Sequence, residues 1–171
     1  MEYVRVTAIA LCIFAVGFVV GLGIKMAYES KMLKQYDWVD ELPIVVNCYG
    51  KEFSELQMIR AIDYWAVRGH NIGFYEHNPP PSVCENDHLH GFIIIKKKKG
   101  GFSDGTIAST SRRTVFGEMK SATIYYSPGS FNLHLLNEHE LGHAFGFGHV
   151  DIEGHLMHPV YTKMGAKFWV P

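Results

Sequence analysis

The residues able to do chemistry concentrate between positions 139 and 161. The stretch reads His139-Glu140-Leu141-Gly142-His143-Ala144-Phe145-Gly146-Phe147-Gly148-His149. On a helix, residues four apart share a face, so His139 and His143 can offer their imidazoles to one metal ion. Glu140 stands beside the first of them, where its carboxylate reaches a metal-bound water without becoming a ligand. Gly146 permits the positive φ that ends a helix and folds the chain back, and His149 follows just past that turn. Three neutral imidazoles with a fourth position open describe a catalytic zinc rather than a closed structural site. Leu156-Met157-His158-Pro159-Val160-Tyr161 comes next, after a short loop.

These residues carry a resemblance. The chain resembles the metzincin zinc proteases, and among them it is most similar to the matrixins. The zinc signature from His139 to His149 matches at each defining position. Met157 matches the methionine of the tight turn beneath the metal, and Pro159-Val160-Tyr161 is similar to the segment that walls the S1′ pocket. The resemblance implies a zinc-dependent endopeptidase with one catalytic Zn2+. His139, His143 and His149 would be the ligands and Glu140 the general base acting on a zinc-activated water. It also implies an edge strand for the substrate backbone over Thr106 to Arg113, with Ile107, Ala108, Ser109 and Thr110 along it. Tyr161 is able to donate to an oxyanion, but the comparison favours its pocket-wall role.

The departures from the family are equally specific. Val150 stands where matrixins usually have serine, and His158 replaces the tyrosine after the turn methionine. Neither a cysteine-switch segment nor the structural-zinc and calcium loops are evident. Ten residues follow Tyr161, fewer than the family's long C-terminal helix needs.

The elements that must position this machinery can be read upstream. Ile44 to Tyr49 is short and β-branched, a strand. Phe53 to Arg68 has apolar residues at helical spacing and ends at Gly69, a backing helix whose aromatic stripe is core. Ile72 to Tyr75 is a second short strand, closed by the Pro79-Pro80-Pro81 turn. Phe92 to Ile95 is an unbroken apolar run, expected to be buried on both faces. Lys96 to Lys99 reads as its solvated end. Thr106 to Arg113 and Ser121 to Ser127 complete the strands. The order describes an α+β fold with one mixed sheet, and the resemblance implies that this sheet is small and mostly parallel, with a backing helix and an active-site helix.

Val6 to Ile24 carries no charge and lies between Arg5 and Lys25. Its helix would rise about 28 Å, close to the hydrocarbon thickness of a bilayer, so it reads as a transmembrane anchor. A cleaved signal peptide is the rival reading, since Gly21-Leu22-Gly23 offers a small-x-small site. The expected organisation is an anchor over 1–27, a juxtamembrane linker over 28–41 and the catalytic domain over 42–171. Lys25, Lys31 and Lys34 argue for a cytoplasmic domain, whereas a tethered hydrolase acting on proteins argues for one outside. The second orientation is preferred.

Composition narrows the partners. The 171 residues carry 16 basic and 17 acidic side chains, a net charge of −1, which leaves no footprint for nucleic acid. Protein or peptide substrates and the membrane are the expected partners, with oligomeric state open. Cys48 and Cys84 could pair if the domain is exported. Cys84, Asp87, His88 and His90 would otherwise form either a second metal site or an exposed polar loop. His134 reads as solvated. Two other functions stay open: a tethered zinc-binding protein without activity, and a zinc amidase acting on cell-wall peptides.

Overall fold

The computed structural model describes residues 34–39 and 41–168. The apolar run Val6–Ile24 lies outside them, as do residues 28–33 of the expected linker. Among the described residues no helix is long and apolar enough to cross a membrane.

Five strands form one sheet. They are β1 (Ile44–Cys48), β2 (Phe74–Glu76), β3 (Phe92–Lys97), β4 (Ala108–Val115) and β5 (Glu118–Tyr126), in spatial order β2-β1-β3-β5-β4. The first three neighbour pairs are parallel, and β4 alone runs antiparallel, against β5. The expected mostly parallel sheet is therefore present, with β4 at one edge. Ile93, Ile94 and Ile95 are all fully buried. Because successive strand residues face opposite sides, both faces of β3 must be covered.

Helix α1 (Glu55–Ala66) begins at Ser54, whose hydroxyl accepts from the Gln57 N–H, satisfying one donor of the first turn. It buries Met58, Ala61 and Trp65. The fully buried indole of Trp65 stacks on Phe147 at 5.1 Å and meets Phe168 edge-on at 4.9 Å. Its Nε1 donates to Glu138 O at 2.7 Å, tying α1 to helix α3 (Leu136–Ala144), which carries the first two histidines.

Several boundaries differ from the sequence reading. Pro81 opens a short helix, α2 (Pro81–Cys84), instead of only closing a turn, since proline suits a first helical position. The second strand is displaced to Phe74–Glu76. Strands β4 and β5 both run closer to their shared hairpin than expected. Phe116 and Gly117, at φ 51° and 83°, form a two-residue turn that lets Val115 pair with Glu118. Ile107 accordingly sits just before β4, although its carbonyl still accepts from Ser127 N at 2.9 Å.

The second half of the expected linker is packed structure. The compact unit begins at Lys34. Gln35 N donates to Gly146 O at 2.8 Å, and Asp37 O accepts from Met119 N at 2.7 Å. Trp38 Nε1 donates to Ala144 O at 2.9 Å. The alternating charge of this segment hid an indole and a set of backbone groups that complete the end of α3.

Cys48 and Cys84 form a disulfide with their Cα atoms 5.4 Å apart, joining the end of β1 to α2. The alternative of a second metal site at Cys84, Asp87, His88 and His90 therefore fails, because the Cys84 sulfur is already bonded. Asp87 pairs with Lys96 at 2.8 Å, and His88 lies between the hydroxyls of Ser121 and Ser111, 3.2 Å from each.

Candidate metal centre

Helix α3 presents His139 and His143 one turn apart. The backbone then turns at Gly146, φ +98°, to bring His149 back to them. A side chain at Gly146 would be blocked as well as strained, because a Cβ there would lie 1.9 Å from the carbonyl oxygen of Tyr36. The Nε2 atom of His143 is 3.0 Å from Nε2 of His139 and 3.0 Å from Nε2 of His149. Among the described residues this is the one cluster of three or more potential ligand side chains close enough to share an ion.

The other ring nitrogens fix what those Nε2 atoms are. His139 Nδ1 lies 2.7 Å from Leu156 O, and His143 Nδ1 lies 2.8 Å from Phe147 O. A carbonyl only accepts, so both Nδ1 atoms carry the proton and both Nε2 atoms are bare lone pairs. Burial reinforces this by disfavouring the charged imidazolium, pushing His139 down to about 4 and His143 to about 3. His149 is lowered too, by burial first and then by the charge of Arg112. Neutral nitrogens gathered with their lone pairs converging repel one another unless a cation lies among them. The donor set is all imidazole, which suits zinc.

Glu140 is 3% exposed. Its Oε2 accepts from the Thr110 hydroxyl at 2.6 Å, which leaves Oε1 without that restraint. Burial raises its pKa to about 7, opposed by the Thr110 hydrogen bond.

Beneath the ligands, Met157 is fully buried. A Cβ on Gly142 would lie 2.6 Å from its sulfur and 2.6 Å from Trp65 Cζ2, so the glycine inside the motif is there for close packing. The turn also holds the ligands from outside the helix. Leu156 O orients His139, and Met157 O accepts from Val150 N at 2.8 Å, beside His149. His158 takes a hydrogen bond from Val160 N at 2.9 Å on Nδ1, and its Nε2 lies 3.2 Å from Asp151. That histidine therefore braces the ligand loop against the pocket wall.

A cleft of about 800 Å³ opens over the histidines. Ile107, Ala108, Ser109 and Thr110 line one side and Pro159, Val160 and Tyr161 the other, so every residue the sequence singled out for substrate contact borders it. His134 does not border it. Residues not singled out also line it: Leu133, Leu136 and Met164, together with Gln35 and Arg112. The period of two along β4 was the available signal for Arg112, since it shares a face with Thr110. Gln35, far upstream in sequence, had none.

The family model described as matrixin matches residues 60–170, from within α1 to beyond the Met157 turn. A search of curated proteins finds no match.

Proposed function

The chain belongs to the matrixin family of metallopeptidases, and from that premise we propose that it is a zinc-dependent endopeptidase with Glu140 as its general base. One observation carries the proposal: three imidazole nitrogens, two of them left bare by the carbonyl bond on the other ring nitrogen, converge beside a buried carboxylate that a hydroxyl holds in place. His139, His143 and His149 would hold the ion. Zinc bound there would acidify a water and polarise the scissile carbonyl. Glu140 takes the proton of the attacking water and passes it to the leaving amine, and its near-neutral pKa suits both transfers. An extended peptide adds to the free edge of β4, where main-chain hydrogen bonds give affinity. The wall at Pro159, Val160 and Tyr161 shapes the pocket for one side chain.

An intact Glu140 weighs against a zinc-binding protein without activity, since a structural site has no use for that carboxylate. The proposal extends to location: residues 1–27 anchor the chain in a membrane, with the catalytic domain outside the cytoplasm. The Cys48–Cys84 disulfide supports this, because disulfides persist in oxidising compartments. Protease protection in intact cells tests it, and a sheltered domain would refute it.

For the activity, zinc content and cleavage of a quenched peptide library are measured on the full chain with and without chelator, beside Glu140→Gln. One equivalent of zinc in both proteins, with cleavage only in the native one, is expected. Cleavage that survived Glu140→Gln would remove the general base from the proposal, and absence of zinc would remove its ligands.

A further inference from the structure

The face of β4 turned toward α3 carries Ala108, Thr110 and Arg112, all half-buried, while Ser109, Ser111 and Arg113 on the other face are exposed. Thr110 is committed to Glu140. Arg112 lies two residues on, about 7 Å along the strand, and borders the same cleft. Its guanidinium is held loosely. Nη1 is 3.4 Å from Phe147 O, and the group sits 5.4 Å from the Tyr36 ring centroid. Among the described residues no carboxylate pairs with it.

A guanidinium has five donors in a fork that matches a carboxylate. Here most of them are unused at the edge of an open groove, where the carboxylate of a bound peptide can complete the group. The location is specific as well. Phe147 O, which Arg112 touches, is the same carbonyl that orients His143, so the positive charge stands one atom away from the ligand set.

The groove has a direction. Ser130 Oγ donates to Ile107 O at 2.6 Å, which puts the segment leading to Leu133 and Leu136 at the beginning of β4. Arg112 is toward the opposite end. The Arg112 end of the groove is therefore separate from the end bordered by Leu133 and Leu136. A peptide added to the β4 edge shares the strand's alternation, so every second side chain falls on Arg112's face.

We propose that Arg112 is a specificity-determining residue that selects peptides with an acidic side chain within four residues of the scissile bond, on the side that lies along the Arg112 end of β4. This rests on the peptidase reading above, and the test separates the two. Peptides carrying Glu, Gln or Lys at each of the four positions on either side of the scissile bond are offered to the full chain and to Arg112→Gln, Arg112→Lys and Arg112→Glu. Affinity for the uncleaved peptides is measured on Glu140→Gln.

Native protein should favour Glu over Gln by about tenfold in kcat/KM at one of those positions, mostly through KM, the scale of one charge-assisted hydrogen bond. Arg112→Gln should flatten that ratio, Arg112→Lys retain it, and Arg112→Glu turn it toward Lys. A native ratio near one would overturn the proposal. So would an equal loss on all peptides in Arg112→Gln, the pattern of a brace for Phe147. If no peptide is cleaved, the peptidase reading fails. Glu-over-Gln binding on Glu140→Gln, and its loss in the double variant with Arg112→Gln, then decides the role of Arg112 alone.

Discussion

Replacing Gly146 by alanine separates two costs that are usually confounded, because Gly69 provides the control. Both glycines have positive φ, +98° at Gly146 and +84° at Gly69, but a Cβ on Gly69 meets nothing within 4 Å. Gly69→Ala therefore feels backbone strain alone. That is about 1–2 kcal/mol for an L-residue in this region, partly offset by about 0.4–1 kcal/mol from the stiffer unfolded chain. The net is about 1 kcal/mol. Gly146→Ala adds a contact of 1.9 Å with a backbone oxygen of Tyr36, which no side-chain rotation relieves. The segment at residues 34–38 must then lift. Lifting it breaks the Gln35 N–Gly146 O bond of 2.8 Å and the Trp38 Nε1–Ala144 O bond of 2.9 Å. At about 1 kcal/mol for each bond, plus the lost packing of the indole, the total loss is about 3–4 kcal/mol. At roughly 2–4 °C per kcal/mol for a domain of this size, Tm should fall by about 10 °C in Gly146→Ala and by about 3 °C in Gly69→Ala. Calorimetry reads the difference, and hydrogen exchange at Gln35 and Met119 should accelerate only in the first variant. Equal Tm shifts with those two amides still protected would refute the reasoning, because the close approach at Tyr36 would then carry no weight.

Other outcomes follow from the same geometry. Thr110→Val removes the 2.6 Å hydrogen bond to Glu140 while keeping the shape of the side chain. It should lower kcat by about tenfold with KM little changed, and Thr110→Ser should restore most of it. That hydrogen bond lowers the Glu140 pKa, so its loss should also move the acid limb of the rate profile to higher pH. His70 packs against Trp65, Phe145 and Phe147, where burial pushes its pKa down to about 4. The unfolded chain therefore binds the proton first as pH falls below about 6.5, and stability drops between there and about 4. With allowance for partial exposure the loss is about 1–2 kcal/mol. Urea midpoints of native protein and His70→Phe at neutral and acid pH should show the slope reduced in the variant.

The metal motif was legible because it is local: two histidines and a glutamate on one helical turn, and a glycine before the third histidine. The buried strands were legible for a similar reason, since β-branched runs such as Ile93 to Ile95 announce burial wherever they occur. The contacts that hold the motif in register were not. Gly142 reads as a weak helix residue until Trp65 and the sulfur of Met157 are found 2.6 Å from where its Cβ would stand. Lys34 to Trp38 reads as a charged tether until the carbonyl of Tyr36 is seen to occupy the place a side chain on Gly146 would take. The hairpin was misjudged because Phe116 occupies a position, φ 51°, that a propensity argument assigns to glycine or asparagine. The misses at Gly142 and at Lys34 to Trp38 are long-range contacts overriding a local preference, whereas that at Phe116 lies in the turn itself.

Helix α3 shows why that override matters for the site. Nine residues are too few for a stable helix alone, and its start has no side-chain cap, with Leu135 at φ 62°. Leu136, Asn137, His139, Glu140, Leu141, Gly142 and Ala144 are all buried, so it offers no polar face on which to rest. Partners from elsewhere in the chain supply what the helix lacks. Asn137 donates to Phe131 O at 3.0 Å, Trp65 donates to Glu138 O, Thr110 donates to Glu140, and Trp38 donates to Ala144 O. Leu156 O fixes the ring of His139. The imidazoles and the carboxylate are therefore aimed by the sheet edge, the backing helix, the Met157 turn and the entering segment together. Burial that makes the helix depend on those partners is also what keeps its histidines neutral and its glutamate near pH 7, so the fold's support for α3 and the chemistry of the site have one physical origin.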